Sequence, residues 1–387
     1  MKVIVNIYLA LLLSISGIFA QKSIVVTNNS DLNRNGELVE MKIDATKDSK
    51  LRNPFILKNE KGEEVGYQLL RDDMNEIIAL LFQADVKAKS SNTYSILEGK
   101  PAAVKAKTFG RQIPERKDDF AWENDFAGYR MYGPGLIKEN PSNGIDFWAK
   151  KTSELIVNKR YKEELEDGLS YHKDRGNGLD FYKVGHTLGC GGIAPYMNET
   201  LWVGNHYDHF KVKEDGPLRT IFTLIYDSLL VGNEYYKHTI TITADAGSLM
   251  NKAEVTYIGK PQKMQLAAGI FLHDGKGDIK NLINSECFIL CKSDGYLTYT
   301  ENAVSEFKEP SGRNYVGVFM DVKGKLTDKK TTDHSLMLAD YTVGKKFSYY
   351  FGAGWNSWKF PTDKDWVAAV DNFSQTVKEP LKAKFVR

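Results

Sequence analysis

Cysteine is scarce, with three in 387 residues, too few for the disulfide framework that staples small secreted domains. Two of them, Cys287 and Cys291, share the strand-like run SECFILCK. Four extended residues separate Cα atoms by roughly 13 Å, beyond the about 7 Å that a disulfide spans. They are therefore not expected to bridge each other. Cys190 sits in a glycine cluster, and no cysteine spacing suggests zinc. An excess of one charge is lacking too: 52 Lys and Arg face 50 Asp and Glu. That balance excludes nucleic acid as the expected partner but leaves room for a local basic pocket. No apolar run reaches the about 20 residues of a membrane span. Glycines are plentiful, yet no Gly-Lys-Ser/Thr phosphate loop and no G-x-G-x-x-G between strand and helix occurs, which argues against a nucleotide cofactor. The absence of G-x-S-x-G disfavours acyl transfer. No cofactor is expected.

What is present begins with a leader. Lys2, the apolar stretch Ile7 to Leu13, and Ser14, Ser16, Gly17 and Ala20 read as a signal peptide over 1–20, cut before Gln21. The expected location is the periplasm.

Beyond the leader, runs rich in β-branched and aromatic residues dominate. SIVVTNNS and ELVEMKI, separated by the turn signal Asn-Arg-Asn-Gly, and FILKNEKGEEVGYQLL, read as a hairpin, place a small β domain over 22–105. The basic stretch PAAVKAKTFGRQIPERK reads as a linker. From 118 to 387, RTIFTLIYDSLL, YYKHTITITADAG, AEVTYIG, LAAGIFLHDG, NYVGVFMDV and FSYYFGAGW read as strands. Only TSELIVNKRYKEELED, with Ser153 as candidate cap, and DKDWVAAVDNFSQTVKEP read as helices. Many strands, few helices and no βαβ alternation imply an all-β fold with a large antiparallel β-sandwich as the catalytic domain.

The densest chemistry lies between Phe120 and Arg219. In DFAGYRMYGPG, Arg130 and Tyr132 are two apart and so share a strand face; Trp122 and Asn124 join that face if the strand extends back. YHKDRGNGLDFYKVGHTLGCGG gathers His172, Asp180, Tyr182, Lys183 and His186 among glycines, which permit close backbone approach to a ligand. NHYDHF adds His206, Asp208 and His209, but in a strand they would face opposite sides, so no metal site is assigned. His238 reads as a core histidine, His334 as surface, and His273 with Asp274 as a rim. Histidine, tyrosine, arginine and lysine suit proton abstraction beside a substrate carboxylate: a cation steadies the developing enolate, a base takes the carbon-bound proton, and an acid protonates the leaving oxygen.

The runs WENDFAGYRMYGPG, YHKDRGNGLDFYKVGHTLGCGG and DGPLRTIFTLIYD resemble an exported Bacteroidetes family of formerly unknown function, encoded with polysaccharide-degrading enzymes. Its nearest characterised activity is the oligosaccharide dehydratase of ulvan degradation. The resemblance implies a galactose-mutarotase-like supersandwich. It also implies water elimination across C4–C5 of the uronic acid ending an acidic oligosaccharide, alongside other enzymes of the same pathway. Residue chemistry assigns His172 as base, Tyr132 as acid, and Arg130 with Lys183 as the uronate clamp. His206 is the alternative base, and Trp122 would stack the sugar. Asn124, Asp180, His186 and Arg219 are the remaining substrate-binding candidates. A glycoside hydrolase, a sugar epimerase and a non-catalytic glycan-binding protein are the alternatives.

Overall fold

A computed structural model describes residues 22–44, 54–139, 141–286, 292–304, 307 and 310–386. The leader over 1–20 lies outside the described residues, as do Cys287 and Cys291. Cys190 is a free, buried thiol, which burial pushes well above the usual range. Among the described residues no helix is long and apolar enough to cross a membrane.

Among the described residues the architecture is all-β and the strand pairs are antiparallel, with one isolated parallel bridge between Ile145 and Gly189. The largest sheet has eight strands, in the order His209–Asp215, Arg219–Val231, Glu234–Asp245, Asn251–Ile258, Phe347–Trp355, Pro310–Lys323, Lys292–Val304 and Asp278–Glu286. Its strands are long because the alternation is: in Arg219–Val231, Thr220, Phe222, Leu224 and Tyr226 point inward, and a bulge after Tyr226 resets the pattern to Leu229. Two five-stranded sheets cover one face. One is built on Cys190–Met197, Met264–Phe271 and His334–Tyr341, the other on Asp119–Glu123, Gly128–Met131 and Ile145–Lys150. A single apolar core joins all three sheets.

The glycines of the central motif approach the chain's own backbone. A Cβ at Gly178 (φ +125°) would lie 2.0 Å from the Ala149 carbonyl oxygen, and one at Gly189 (φ +62°) would lie 2.1 Å from that of Ile145. These positions close the sheet edge and do not cradle a ligand.

In the N-terminal unit, Phe55–Lys58 pairs with Ser90–Glu98, while Tyr67–Arg71 pairs with Ile77–Val86 in a different sheet. The expected hairpin is therefore split between two layers, its arms still joined near the turn by a bridge from Lys58 to Glu64, by the Val65 N–H to the Leu57 carbonyl, and by Tyr67 stacked on Phe55. Asn-Arg-Asn-Gly is not a turn either: Arg34–Lys42 is one strand with a bulge at Gly36. Lys382–Val386 returns to pair with Ser23–Asn28, and Leu381, Ala383 and Phe385 pack on the N-terminal core.

Helix α1, Val157–Asp167, starts later than TSELIV suggests, and Ser153 does not cap it. The Glu123 carboxylate accepts from the Ile156 and Val157 N–H groups at 2.9 and 2.7 Å, so a neighbouring strand supplies the cap. Helix α2, Asp363–Lys378, carries a capping box between Thr362 and Asp365. It packs Trp366 and Val370 on Tyr315 and Phe319, on the second face of the large sheet.

Candidate active site

Arg130 and Tyr132 do share a face, the guanidinium lying 5.1 Å from the tyrosine ring centre. What they face is an internal ion network. Arg130 donates to Asp146 at 2.6 Å and Asp180 at 2.8 Å, stands 3.7 Å from Asp119, and is only 4% exposed. The Tyr132 hydroxyl donates to the same Asp146 oxygen at 3.3 Å. Burial opposes the Arg130 charge, but Asp146 and Asp180 outweigh it and hold the group well above its usual value. Burial likewise pushes Asp119 up to about 6 against the pull of Arg130 and Arg116. His172, half-buried, joins at the edge, its Nδ1 2.9 Å from the Asp180 carbonyl oxygen. The structure thus gathers Arg130, Tyr132, His172 and Asp180, with three buried carboxylates already holding the arginine.

The other sequence candidates are dispersed. Trp122 is on the strand Asp119–Glu123, not on an extension of Gly128–Met131, because the chain turns between them. It lies opposite Tyr129 and is enclosed by Tyr129, Phe222 and Phe351, with no face open to a sugar. Asn124 shapes that turn, donating to the Asp245 and Ser248 carbonyls at 2.9 Å each and accepting from Phe126 and Ala127 N–H. Arg219 ties the large sheet to the N-terminal unit through Asp245, at 2.6 Å, and Glu40. His206 is buried in the loop before the edge strand, which begins only at His209. His186 is exposed, its Nδ1 against the Pro141 carbonyl. His238 is buried between Tyr226 and Tyr257, and burial lowers it to about 3. His334 is no surface residue: it is buried, accepts from the Leu188 N–H at 3.1 Å, and burial lowers it to about 4.

Lys183 opens onto a cleft of about 380 Å³, whose walls also carry Tyr182, His273, Glu301, Arg313 and Asn314. The volume lies within the range of small-ligand sites. His273 follows the strand Met264–Phe271 and takes a left-handed backbone (φ +39°), uncommon for a residue with a Cβ. Its Nε2 lies 2.8 Å from the Lys183 carbonyl oxygen and its Nδ1 2.7 Å from Glu301 Oε1. The second contact is an ion-pair approach without hydrogen-bond alignment. Asn314 donates to the same Glu301 oxygen at 2.7 Å. Tyr182 packs edge-on against His273, ring centres 4.8 Å apart. It is 4% exposed, and its hydroxyl meets no hydrogen-bond partner among the described residues. Burial pushes the phenol well above its ordinary range, so it stays a neutral donor.

The cleft's three cations differ. Arg313 is committed to Asp363, Thr300 and Asn302, and Lys276 pairs with Asp274 at 3.2 Å, whereas the exposed Lys183 ammonium has no carboxylate partner among the described residues. The Glu301 carboxylate beside His273, Tyr182 with its buried hydroxyl, and the Lys183 ammonium therefore line one cleft. Sequence reasoning singled out the segment that carries Tyr182 and read His273 as part of a rim. It did not single out Glu301, which lies in a strand with no local mark to set it apart.

Residues 26–383 match the family described as domain of unknown function (DUF4861), and the chain belongs to it. It is 28% identical over 319 residues to "Uncharacterized protein P7" of Formosa agariphila, covering 78% of this chain and 77% of that one. Among solved structures it is similar to a protein in the glycosyl hydrolase family 38 from Enterococcus faecalis, at 9% identity and TM-score 0.46, over 95% of this chain and 47% of that one. It is also similar to an alpha-mannosidase from Enterococcus faecalis, at 8% identity and TM-score 0.46, over 95% and 46%. The chain spans about half the length of these two solved proteins.

Proposed function

We propose that this member of the DUF4861 family is an exported carbon–oxygen lyase that removes water from the uronic acid at the non-reducing end of an acidic oligosaccharide of ulvan type. The leader supports a periplasmic site of action. The observation that carries the reading is the Tyr182 hydroxyl, without a hydrogen-bond partner among the described residues, beside Glu301 and His273, with Lys183 lacking a carboxylate partner among those residues in the same cleft.

Elimination needs three groups, and the cleft supplies each. Lys183 takes the uronate carboxylate and steadies it as the neighbouring carbon loses its proton. Glu301, held by His273 and Asn314, accepts that proton from C5. The C5–H electron pair forms the C4–C5 double bond, the C4–O bond breaks, and Tyr182 gives its proton to the departing oxygen as water. Proton return from Glu301 to the tyrosinate, relayed through the adjoining His273 ring or solvent, closes the cycle. Arg130 and Tyr132, the clamp and acid suggested by sequence, are engaged with Asp119, Asp146 and Asp180 and have no part in this step.

Incubation with a uronate-terminated oligosaccharide tests this. Loss of one water with a new near-ultraviolet chromophore marks elimination. New reducing ends would mark a hydrolase, an isomeric product of unchanged mass an epimerase, and retention without change a binding protein.

A further inference from the structure

A larger groove, of about 760 Å³, lies between the N-terminal unit, the second face of the eight-stranded sheet and α2. None of its lining residues belongs to the cleft of Tyr182 and Glu301. Its floor is a single cross-strand row: Ile221 lies opposite Thr243, Thr243 opposite Lys252, and Lys252 opposite Tyr350. Four strands at their ordinary spacing make this floor roughly 14 Å across, the span of a short oligosaccharide and too long for one sugar ring. Asn35 stands on one wall, and Asn372 with Phe373 of α2 on the other.

The charges of the groove answer one another. Arg34 pairs with Glu37 at 2.8 Å, Arg219 with Asp245 at 2.6 Å and with Glu40, and Lys252 with Glu254 at 3.1 Å. An anionic ligand would have to break one of these pairs. A neutral ligand leaves them intact and meets amides, the Thr243 hydroxyl and the half-buried Tyr350 and Phe373 rings, whose centres are 5.4 Å apart. Flat apolar faces beside neutral hydrogen-bonding groups match the two sides of a sugar ring. We propose that this groove is a second binding site, specific for an uncharged oligosaccharide and separate from the acidic substrate's cleft.

Calorimetric titration of the full chain with maltotriose, cellotriose, xylotriose and mannotriose tests it, with a uronate-capped trisaccharide as the acidic comparison. At least one neutral trisaccharide should bind with a dissociation constant of millimolar or below. Thr243→Arg, which fills the floor, and Asn372→Arg, on the exposed helix wall, should each weaken that binding tenfold or more. Glu301→Gln, in the cleft, should leave it unchanged. Asn372→Arg keeps the test valid if Thr243→Arg melts early. The proposal is overturned if none of the four neutral sugars binds, if both groove variants bind as the parent does, or if Glu301→Gln abolishes the binding.

Discussion

His273 Nδ1 stands 2.7 Å from Glu301 Oε1, while the same ring's Nε2 faces the Lys183 carbonyl at 2.8 Å. The imidazole thus lies between a carboxylate and the backbone of the residue whose ammonium enters the cleft. Glu301→Gln keeps the shape and removes the proton acceptor. It should lower kcat/KM by about 10²–10⁴-fold, the scale of general acid–base catalysis, with the melting temperature little changed. A loss of stability at unchanged rate would make Glu301 a structural residue.

Arg130 is expected to act on stability first. Removing it leaves Asp119, Asp146 and Asp180 facing one another without their shared cation. Arg130→Ala should destabilise by about 3–5 kcal/mol, the usual cost of stripping one partner from a buried ion network. Arg130→Lys should recover only part, because an ammonium cannot reproduce the planar fork. Urea denaturation reads both. Unchanged stability in Arg130→Ala would return this arginine to the list of substrate ligands.

Asp119 sets a pH dependence of known sign. Its folded value, about 6, lies above the roughly 3.9 of an unfolded aspartate. Its contribution is therefore fully present below about pH 4 and lost as pH rises through about 6, on the order of 2–3 kcal/mol. Asp119→Asn keeps an acceptor for the Gly133 N–H and removes the titration. The variant should gain stability relative to the parent between pH 4 and 7, measured as the difference between their unfolding curves. A constant difference across that range would contradict the assignment.

His238 carries the opposite slope. Lowered by burial to about 3, against about 6.5 when unfolded, it contributes stability above about pH 6.5 that is lost as pH falls toward 3. His238→Phe preserves the stack between Tyr226 and Tyr257. Its melting temperature should therefore exceed the parent's by a margin that widens from pH 7 to pH 5. A margin independent of pH would show that the histidine titrates normally.

The strands were legible because their alternation is local: Phe222, Leu224 and Tyr226 announce an inward face without knowledge of any partner. Pairing was not. Phe55–Lys58 and Tyr67–Arg71 look like a hairpin in sequence, yet each finds a longer strand in another layer. The cap of α1 escaped for the same reason, since Glu123 reaches it from a distant strand. Arg130 and Tyr132 do lie side by side, but the carboxylates that engage the arginine sit on three other strands. The cleft joins Tyr182, His273 and Glu301, separated by long stretches of chain, and only the folded sheets bring them to one wall.

The most direct test of the central claim is mass analysis of a uronate-terminated oligosaccharide after incubation with the parent protein and with Tyr182→Phe. The parent should convert it to a product lighter by one water, carrying a double bond in the terminal ring. Tyr182→Phe, folded as the parent, should form that product at least about a hundredfold more slowly. Equal rates for the two proteins, or a parent that releases sugars without loss of water, would contradict the account.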